Sequence, residues 1–296
     1  MFETLKNVFR VKEMRRKLLY LIWMIFIIRI GCQIPVPGVD SDFFKQWFSS
    51  NAGDAFNFFD AFTGGSFERM SIFALNITPY ITSSIIIQLL TIAIPALEEM
   101  QRDGEEGRKK MTAITRYVTV GLALFESIAM AIGFGRQGMI PNLDFFKGVV
   151  VVACLTAGSA MLMWLGERIT EKGVGNGISI VLTINIISRV PSDLTLLYEN
   201  FIKGKTIAKG TLAGLIIAAV ILLVVVLVLI LNGAERRIPV QYSKKMVGRK
   251  LMGGQSTNIP LKVNTAGVIP VSFASSIMSF PAVIAQLTGK GNGTGI

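Results

Sequence analysis

Long apolar stretches alternate with short polar ones along most of the chain. A helix of about 20 residues crosses the roughly 30 Å hydrocarbon core of a bilayer. Seven stretches approach that length or share its character, at 18–34, 79–97, 117–134, 149–165, 178–187, 210–234 and 263–287. The pattern predicts seven membrane-spanning helices, of which the one at 178–187 is short, and a less apolar segment near 55–75.

The overall composition agrees with this pattern. Hydrophobic residues make up 51% of the 296 residues and charged residues 17%, and the mean hydropathy is +0.56. This is more apolar than a soluble domain of the same size requires, so the chain is predicted to be an integral membrane protein. No small-x-small cleavage site follows the first span, and we interpret that span as a retained helix and not as a signal peptide.

The residue types present limit the chemistry. The chain has no histidine, which excludes His-based catalytic triads and His metal sites. Cys32 and Cys154 lie inside predicted spans, and two isolated thiols make neither a zinc set nor a disulfide framework. There is no Walker-type G-x-x-x-x-G-K-[ST] motif. We therefore expect no cofactor, no metal and no enzymatic activity, with any ATP hydrolysis on a partner.

The distribution of basic residues predicts the orientation. The chain carries 30 Lys and Arg residues and a net charge of +11. If the N-terminus is cytoplasmic, 20 of these 30 lie on the inner side, as the positive-inside rule requires. Seven spans then leave the C-terminus outside.

The loop at 233–262 is longer than a minimal turn and carries three basic pairs. The pairs are Arg236/Arg237, Lys244/Lys245 and Arg249/Lys250. One interpretation is an ordinary positive-inside loop; the other is a docking site for RNA phosphate or for an acidic protein face. Interleaved apolar residues are typical of a small hairpin.

The stretch "ITPYITSSIIIQLL" at 77–90 places Pro79 at the beginning of an apolar helix. Proline frees a backbone carbonyl, which in a membrane is tolerable only beside protein or water. The preceding segment contains Asp60, Glu68 and Arg69 and is too polar to be a good span. We expect a re-entrant element on the outer side there, with an ordinary outer loop as the alternative.

Two stripes of branched apolar residues follow helical spacing. Ile77, Ile81 and Ile85 recur at every fourth position, with hydroxyl residues beside them that allow close helix approach. Ile178 and Leu182 form a second pair after a glycine-rich turn. Facing pairs of this kind could form a constriction that holds back water and ions; ordinary helix packing is the alternative.

Five stretches together resemble one family. They are "RIGCQIPVPGVD" (29–40), "FTGGSFERMSIFALNITPYITSSIIIQLL" (62–90), "GEEGRKKMTAITRY" (104–117), "MWLGERITEKGVGNGISI" (163–180) and "QSTNIPLKVNTAGVIPVSFASSIMSFPA" (255–282). In this order, and over nearly the whole chain, they are similar to the SecY family, the channel subunits of bacterial preprotein translocases.

The resemblance implies an all-α polytopic fold, a clamshell of two inverted five-helix halves with ten spans. This chain would supply seven spans and a plug helix, and it ends at Ile296, before spans eight to ten. The implied parts are a cytoplasmic amphipathic segment at 1–17, spans one to five at 18–190 with the plug at 59–74, an outer loop at 191–210, and spans six and seven at 211–296. On this reading, residues 1–296 alone are not expected to support translocation.

The resemblance also implies functional residues. The pore ring would comprise Ile77, Ile81, Ile178, Leu182 and Ser272. The plug would include Phe62, Gly64, Gly65 and Arg69. The lateral gate would include Thr82, Ile85, Gln88, Ser275 and Ser276. Docking of the SecA motor and the ribosome would use Arg236, Arg237, Lys244, Lys245, Arg249 and Lys250. The chain departs from the family pattern at Ser272, where an apolar residue is usual, and at Asn76, where glycine is usual.

The implied function is a passive protein-conducting channel in the bacterial plasma membrane. Its implied partners are SecE and SecG subunits, the SecA motor ATPase, the ribosome, signal sequences, translocating polypeptides and membrane lipid. A secondary transporter for a small solute is the alternative, with Glu126 and Arg29 as candidate ionisable residues. An intramembrane enzyme is the third hypothesis, and it lacks a nucleophile–base pair or metal set.

Overall fold

The computed structural model describes residues 10–41, 43–46, 60–136, 138, 140, 144–203, 207–240, 245–247, 250–252, 257–264 and 274. Its helices are α1 (Lys12–Gly31), α2 (Thr78–Ala93), α3 (Pro95–Arg102), α4 (Gly104–Arg136), α5 (Phe145–Lys172), α6 (Gly177–Phe201) and α7 (Ile207–Gly233). Its strands are β1 (Glu235–Val240), β2 (Lys245–Val247), β3 (Lys250–Met252) and β4 (Thr257–Lys262). The chain divides within α6 into two units. One comprises the residues up to Pro191 together with those from Ser272 onward, and the other comprises Ser192–Val271.

Several helices are long and apolar enough to cross a membrane. Four qualify on their own, namely α4, α5, α6 and the Gly210–Gly233 part of α7, and the pair α2 and α3 qualifies as one bent span. The prediction of a mostly helical, multi-pass membrane protein is confirmed. The predicted first span is helical in α1, although its charged residues exclude it from this set, and the predicted span at 263–287 lies almost wholly outside the described residues.

Two predicted boundaries differ from the structure. The span predicted to be short is α6, which has 25 residues and continues through Pro191 to Phe201, so the predicted start of an outer loop at residue 191 falls inside a helix. The span predicted at 79–97 is broken at Ile94, where α3 bends away from α2 by 104°. Pro95 explains the break, because proline disfavours helical backbone at the preceding residue and favours the first turn of a new helix.

The first unit has two apolar cores. One joins the inner faces of α4 and α5 to the chain that precedes α2, with Phe44 and Phe134 fully buried and their rings 5.0 Å apart edge to face. The other joins α1, α5 and α6 to residues Phe73 and Ile77. Small and hydroxyl residues bring these helices together, as is usual between membrane helices.

Hydroxyl pairs link α4 to both neighbouring helices. Ser83 of α2 and Thr119 of α4 lie 2.6 Å apart (Oγ to Oγ1), and both are buried. Ser127 of α4 and Thr156 of α5 lie 2.9 Å apart. Ser83, Thr119 and Ser127 also lie within hydrogen-bond distance of a backbone carbonyl of their own helix, so these polar groups have partners away from water.

The second unit contains α7 and the basic loop. In α7, the residues from Leu215 to Leu231 are apolar and largely exposed within the structure, as suits a lipid-facing helix. Strand β1 pairs antiparallel with β4, and β2 pairs antiparallel with β3. The predicted hairpin within the basic loop is confirmed.

Gly158 of α5 lies directly against the backbone of the chain that precedes α2. A Cβ atom on Gly158 would lie 2.0 Å from the backbone oxygen of Ile72. Gly148, on the same helix, has no other atom within 4 Å of such a position. We expect Gly158→Ala to destabilise the protein by about 1–3 kcal/mol, because overpacking against backbone forces the chain to shift.

Thermal unfolding of the purified protein in detergent tests this expectation. Gly148→Ala is the matched control and should leave the unfolding midpoint unchanged or slightly raised, since alanine favours helix. Equal midpoints for the two variants would contradict the close contact.

Candidate functional site

Residues 60–77 connect the region after α1 to the start of α2, and we call them the connecting segment. The segment consists of a helical turn at 60–63 followed by turns, so in its described part the predicted plug helix is mostly non-helical. Gly64 and Gly65 have φ of +68° and +79°, which glycine adopts without strain. Among the described residues, Met70 and Asn76 are the non-glycine residues with positive φ, and both lie here.

One side of the connecting segment pairs with the chain that follows α1. The amide of Ile72 donates to the carbonyl of Ile34 at 3.0 Å, and the amide of Val36 donates to the carbonyl of Met70 at 3.0 Å. These bonds form an antiparallel bridge between Pro35 and Ser71. The middle of the segment is therefore fixed by backbone hydrogen bonds.

The beginning of the segment rests on α6. Asp60 has no exposed surface and forms an ion pair with Arg189, whose side chain is 22% exposed. The other oxygen of Asp60 accepts from the amide of Glu68 at 2.9 Å and from the hydroxyl of Thr63 at 3.2 Å. A buried carboxylate is stable only when it is paired and hydrogen-bonded in this way. Gly64 packs on the same helix, and a Cβ there would lie 2.6 Å from the carbonyl oxygen of Asn185.

The end of the segment is held by a chain of polar side chains. Asn76 donates through Nδ2 to the carbonyl of Phe62 at 2.9 Å and accepts at Oδ1 from Nδ2 of Asn185 at 3.0 Å. Oδ1 of Asn185 in turn accepts from Arg29 of α1 at 3.0 Å. The hydroxyl of Ser159 donates to the carbonyl of Asn76 at 3.3 Å. Four parts of the first unit thus meet at this amide pair.

Sequence reasoning missed these polar contacts. Arg29, Asn76 and Asn185 each interrupt an apolar stretch, and that interruption is the signal that could have found them. The presence of Asp60 in the sequence indicates only that its segment is a poor span, and it does not predict an ion pair with Arg189. Of the two ionisable residues that a solute transporter would use, Arg29 is bonded to Asn185, and Glu126 is half-buried within α4.

The residues predicted to form the pore ring lie partly together. Ile77 is fully buried at the start of α2, and Ile81 and Ile178 pack against the same apolar cluster. Leu182 is half-buried, and its neighbour Val181 supplies the fully buried contact in that cluster. Ser272 lies outside the described residues.

The predicted plug and gate residues have different surroundings. Phe62, Gly64 and Gly65 lie in the connecting segment, and exposed Arg69 donates to Gln33.

Thr82, a predicted gate residue, donates to the carbonyl of Thr78 within its own helix at 3.0 Å. Ile85 is half-buried and Gln88 is exposed. Ser275 and Ser276 fall outside the described part of the chain. The hydroxyl that joins α2 to α4 is Ser83, one residue beyond Thr82.

The predicted docking residues lie in or beside the strands of the basic loop. Arg236 and Arg237 are exposed in β1. Lys245 begins β2 and Lys250 begins β3. Lys244 and Arg249 lie outside the described residues. In the described part of the chain, no group of three His, Cys, Asp or Glu residues is placed to hold a metal ion.

The Asp60–Arg189 ion pair generates a stability prediction. Arg189→Leu leaves the buried carboxylate without its cation, and we expect it to lower the free energy of unfolding by about 3–5 kcal/mol. Asp60→Asn keeps an oxygen for Glu68 and Thr63 and removes the buried charge itself, so it should cost less. The double variant should cost less than Arg189→Leu alone.

Denaturant unfolding in detergent measures these differences. Arg102→Leu is the control, because Arg102 pairs with Glu98 at 2.6 Å on an exposed surface, where ion pairs contribute about 0–1 kcal/mol. A cost for Arg189→Leu no larger than that for Arg102→Leu would contradict the assignment of a buried, essential pair.

Comparison with known proteins identifies the family. A SecY family model matches residues 71–294. Protein translocase subunit SecY of Halalkalibacterium halodurans is 44% identical over 98% of this chain and 68% of its own length. The SecY subunits of Pseudomonas aeruginosa and Escherichia coli K12 are each 43% identical and cover 96% and 95% of this chain, in both cases over 64% of their own length.

Solved structures agree with this match at the level of the fold. One is described as the structure of a protein conducting channel; it has a TM-score of 0.60 and 18% identity, and the match covers 93% of this chain and 59% of that chain. Sec61 in the canine ribosome-channel complex from the endoplasmic reticulum has a TM-score of 0.60, with 19% identity, over 93% of this chain and 59% of that chain. The chain thus spans less than two thirds of these channel chains. With 44% identity over almost its whole length and a family match from residue 71 to residue 294, the chain belongs to the SecY family.

Proposed function

We propose that the chain is part of the central subunit of a protein-conducting channel. The channel passes unfolded secretory proteins across the bacterial plasma membrane and releases membrane proteins sideways into lipid. The observation that carries this proposal is the apolar cluster of Ile77, Ile81 and Ile178, which adjoins the buried connecting segment. Branched apolar side chains hold back water and ions without binding a passing chain.

The connecting segment has the properties of an element that can be displaced. Apolar side chains of the segment enter both cores, and its other attachments are the backbone bridge at Ser71, the Asp60–Arg189 ion pair and the amide contacts of Asn76. Two buried hydroxyls, Ser66 and Ser71, have no hydrogen-bond partner among the described residues, and both belong to the segment. An unsatisfied buried polar group costs about 1–3 kcal/mol. These unsatisfied groups lower the stability of the segment in its resting position, which supports its proposed role as the plug.

Helix α2 is the proposed lateral gate helix, with Thr82, Ile85 and Gln88 on its gate-facing side. It meets α4 through contacts that include the buried Ser83–Thr119 hydroxyl pair. In this proposal α2 and α4, the second and third spans, form one side of the gate, and the seventh span forms the other. Ser275 and Ser276 complete the gate in this proposal, and Ser272 completes the ring.

The proposed orientation puts the N-terminus and the basic loop in the cytoplasm. Exposed Arg236 and Arg237 would then contact the SecA motor or the ribosome, together with the basic pairs at Lys244/Lys245 and Arg249/Lys250. The canine relative Sec61 is described in a ribosome-channel complex. SecE and SecG subunits complete the proposed assembly. The chain itself acts as a passive conduit, and the motor or the ribosome supplies the energy.

Photo-cross-linking tests the proposed conduit. A photoreactive amino acid replaces Ile81 in the complete protein, in membranes supplied with the motor and with a precursor stalled during transfer. We expect Ile81 to capture the precursor, because a chain that crosses the constriction must touch its apolar wall. Capture should depend on ATP and on the signal sequence of the precursor.

The control is Ile221, which is 45% exposed on α7 and should contact lipid instead of precursor. Capture at Ile221 equal to that at Ile81 would mean that the probe reports general proximity. If Ile81 captures nothing from a precursor that is shown to be stalled, the proposed conduit is contradicted. The stripe of isoleucines would then serve only in ordinary helix packing.

A further inference from the structure

Asn76 and Asn185 form a buried amide pair at the junction between the connecting segment and α2. Each residue is 1% exposed, and the bond from Asn185 Nδ2 to Asn76 Oδ1 measures 3.0 Å. Asn76 directly precedes Ile77, the fully buried residue of the apolar cluster. A movement of the segment would therefore reach the proposed pore ring through this pair.

The backbone at residue 76 does not by itself require asparagine. Its φ is +52°, which glycine adopts freely and asparagine tolerates better than most residues. The family resemblance implies glycine at this position. What asparagine adds is a side chain that donates to Phe62 and accepts from Asn185. The added hydrogen bonds tie the end of the segment to its beginning at Phe62 and to α6 at Asn185.

The nitrogen and the oxygen of the Asn185 side-chain amide both form hydrogen bonds. Its nitrogen donates to Asn76, and its oxygen accepts from the guanidinium of Arg29 at 3.0 Å. Charge-assisted hydrogen bonds are stronger than neutral ones, and the charged partner polarises the amide and strengthens its second bond. If the segment leaves α6, Asn76 and Asn185 lose their shared bond in an apolar setting that offers few replacements.

We propose that Asn76 and Asn185, with Arg29 behind them, form an amide clasp that sets how readily the connecting segment leaves α6 in the resting protein. The Asp60–Arg189 ion pair fixes the start of the segment, and the clasp fixes its end, beside Ile77. The proposal deepens the channel function proposed above and rests on it for the meaning of opening. The clasp itself is a property of the resting state and can be measured without a precursor.

Cys32 supplies a natural reporter of opening. It is 3% exposed and belongs to the same apolar cluster as Phe73 and Ile77 of the segment. Because Phe73 and Ile77 pack in that cluster, we expect displacement of the segment to uncover the thiol. The sulfur also lies 3.9 Å from Nη1 of Arg29, a contact that Asn76→Gly leaves in place. Cys154 lies on α5 and packs against the other core, so it serves as an internal control. The experiment measures the rate at which N-ethylmaleimide modifies each cysteine in the full-length protein in membrane vesicles, read by peptide mass spectrometry.

The informative variants are Asn185→Leu, which is nearly isosteric and apolar, and Asn76→Gly, which removes the side chain without backbone strain. Each should speed modification of Cys32 at least about fivefold, the effect of losing the Asn76–Asn185 bond alone. The double variant should fall short of the product of the two single effects, because the two changes share that bond while each also removes one bond of its own, to Phe62 or to Arg29. Thr183→Ala, which deletes an exposed hydroxyl of α6 bonded only to the carbonyl of Ser179, should leave the rate unchanged.

The proposal is wrong if, in both single variants, Cys32 is modified at a rate within twofold of that in the unaltered protein. It is also wrong if the rate increase in the double variant equals the product of the two single increases. If Asn185→Leu speeds modification of Cys154 as well, it has loosened the whole unit, and Asn76→Gly then decides alone. If the clasp variants behave as expected but Ile81 captures no stalled precursor, the clasp is supported and the proposed channel function is contradicted.

Discussion

Asp60 is a carboxylate with no exposed surface, and Arg189 of α6 is the cation that balances it. A carboxylate buried in this way requires a cation and hydrogen-bond donors, so this pair fixes residue 60 of the connecting segment against α6. The backbone bridge at Ser71 and the amide pair at Asn76 then fix its middle and its end. A segment too polar to span the membrane is thereby folded against helices that do.

These attachments also determine how the segment can move. Its polar contacts are directional, so a small displacement breaks them, while Met70 and Phe73 also bury apolar surface in the two cores. Because the segment ends at Ile77 and α2 begins at Thr78, a change in the segment acts directly on the apolar cluster that contains Ile77.

Much of this architecture could be predicted from the sequence, because length and hydropathy determine which helices cross a membrane. The apolar stripe at Ile77 and Ile81 followed from helical spacing, and the hairpin in the basic loop from interleaved apolar residues. Periodicity could not reveal the partners of Asn76 and Arg189, since Asn185 and Asp60 lie more than 100 residues away along the chain. It also could not predict that α6 continues through Pro191 to Phe201, because a proline inside a helix can kink the helix instead of ending it.

We propose that the connecting segment contacts α6 at rest and leaves it when a precursor enters the channel. Backbone hydrogen exchange of the complete complex, measured at rest and with a precursor stalled during transfer, tests this proposal. We expect the amides of Glu68 and Ile72, which are bonded to Asp60 and Ile34 at rest, to lose protection when the precursor is stalled, while amides in the middle of α5 keep theirs. Unchanged protection at Glu68 and Ile72 with a precursor in place would contradict it.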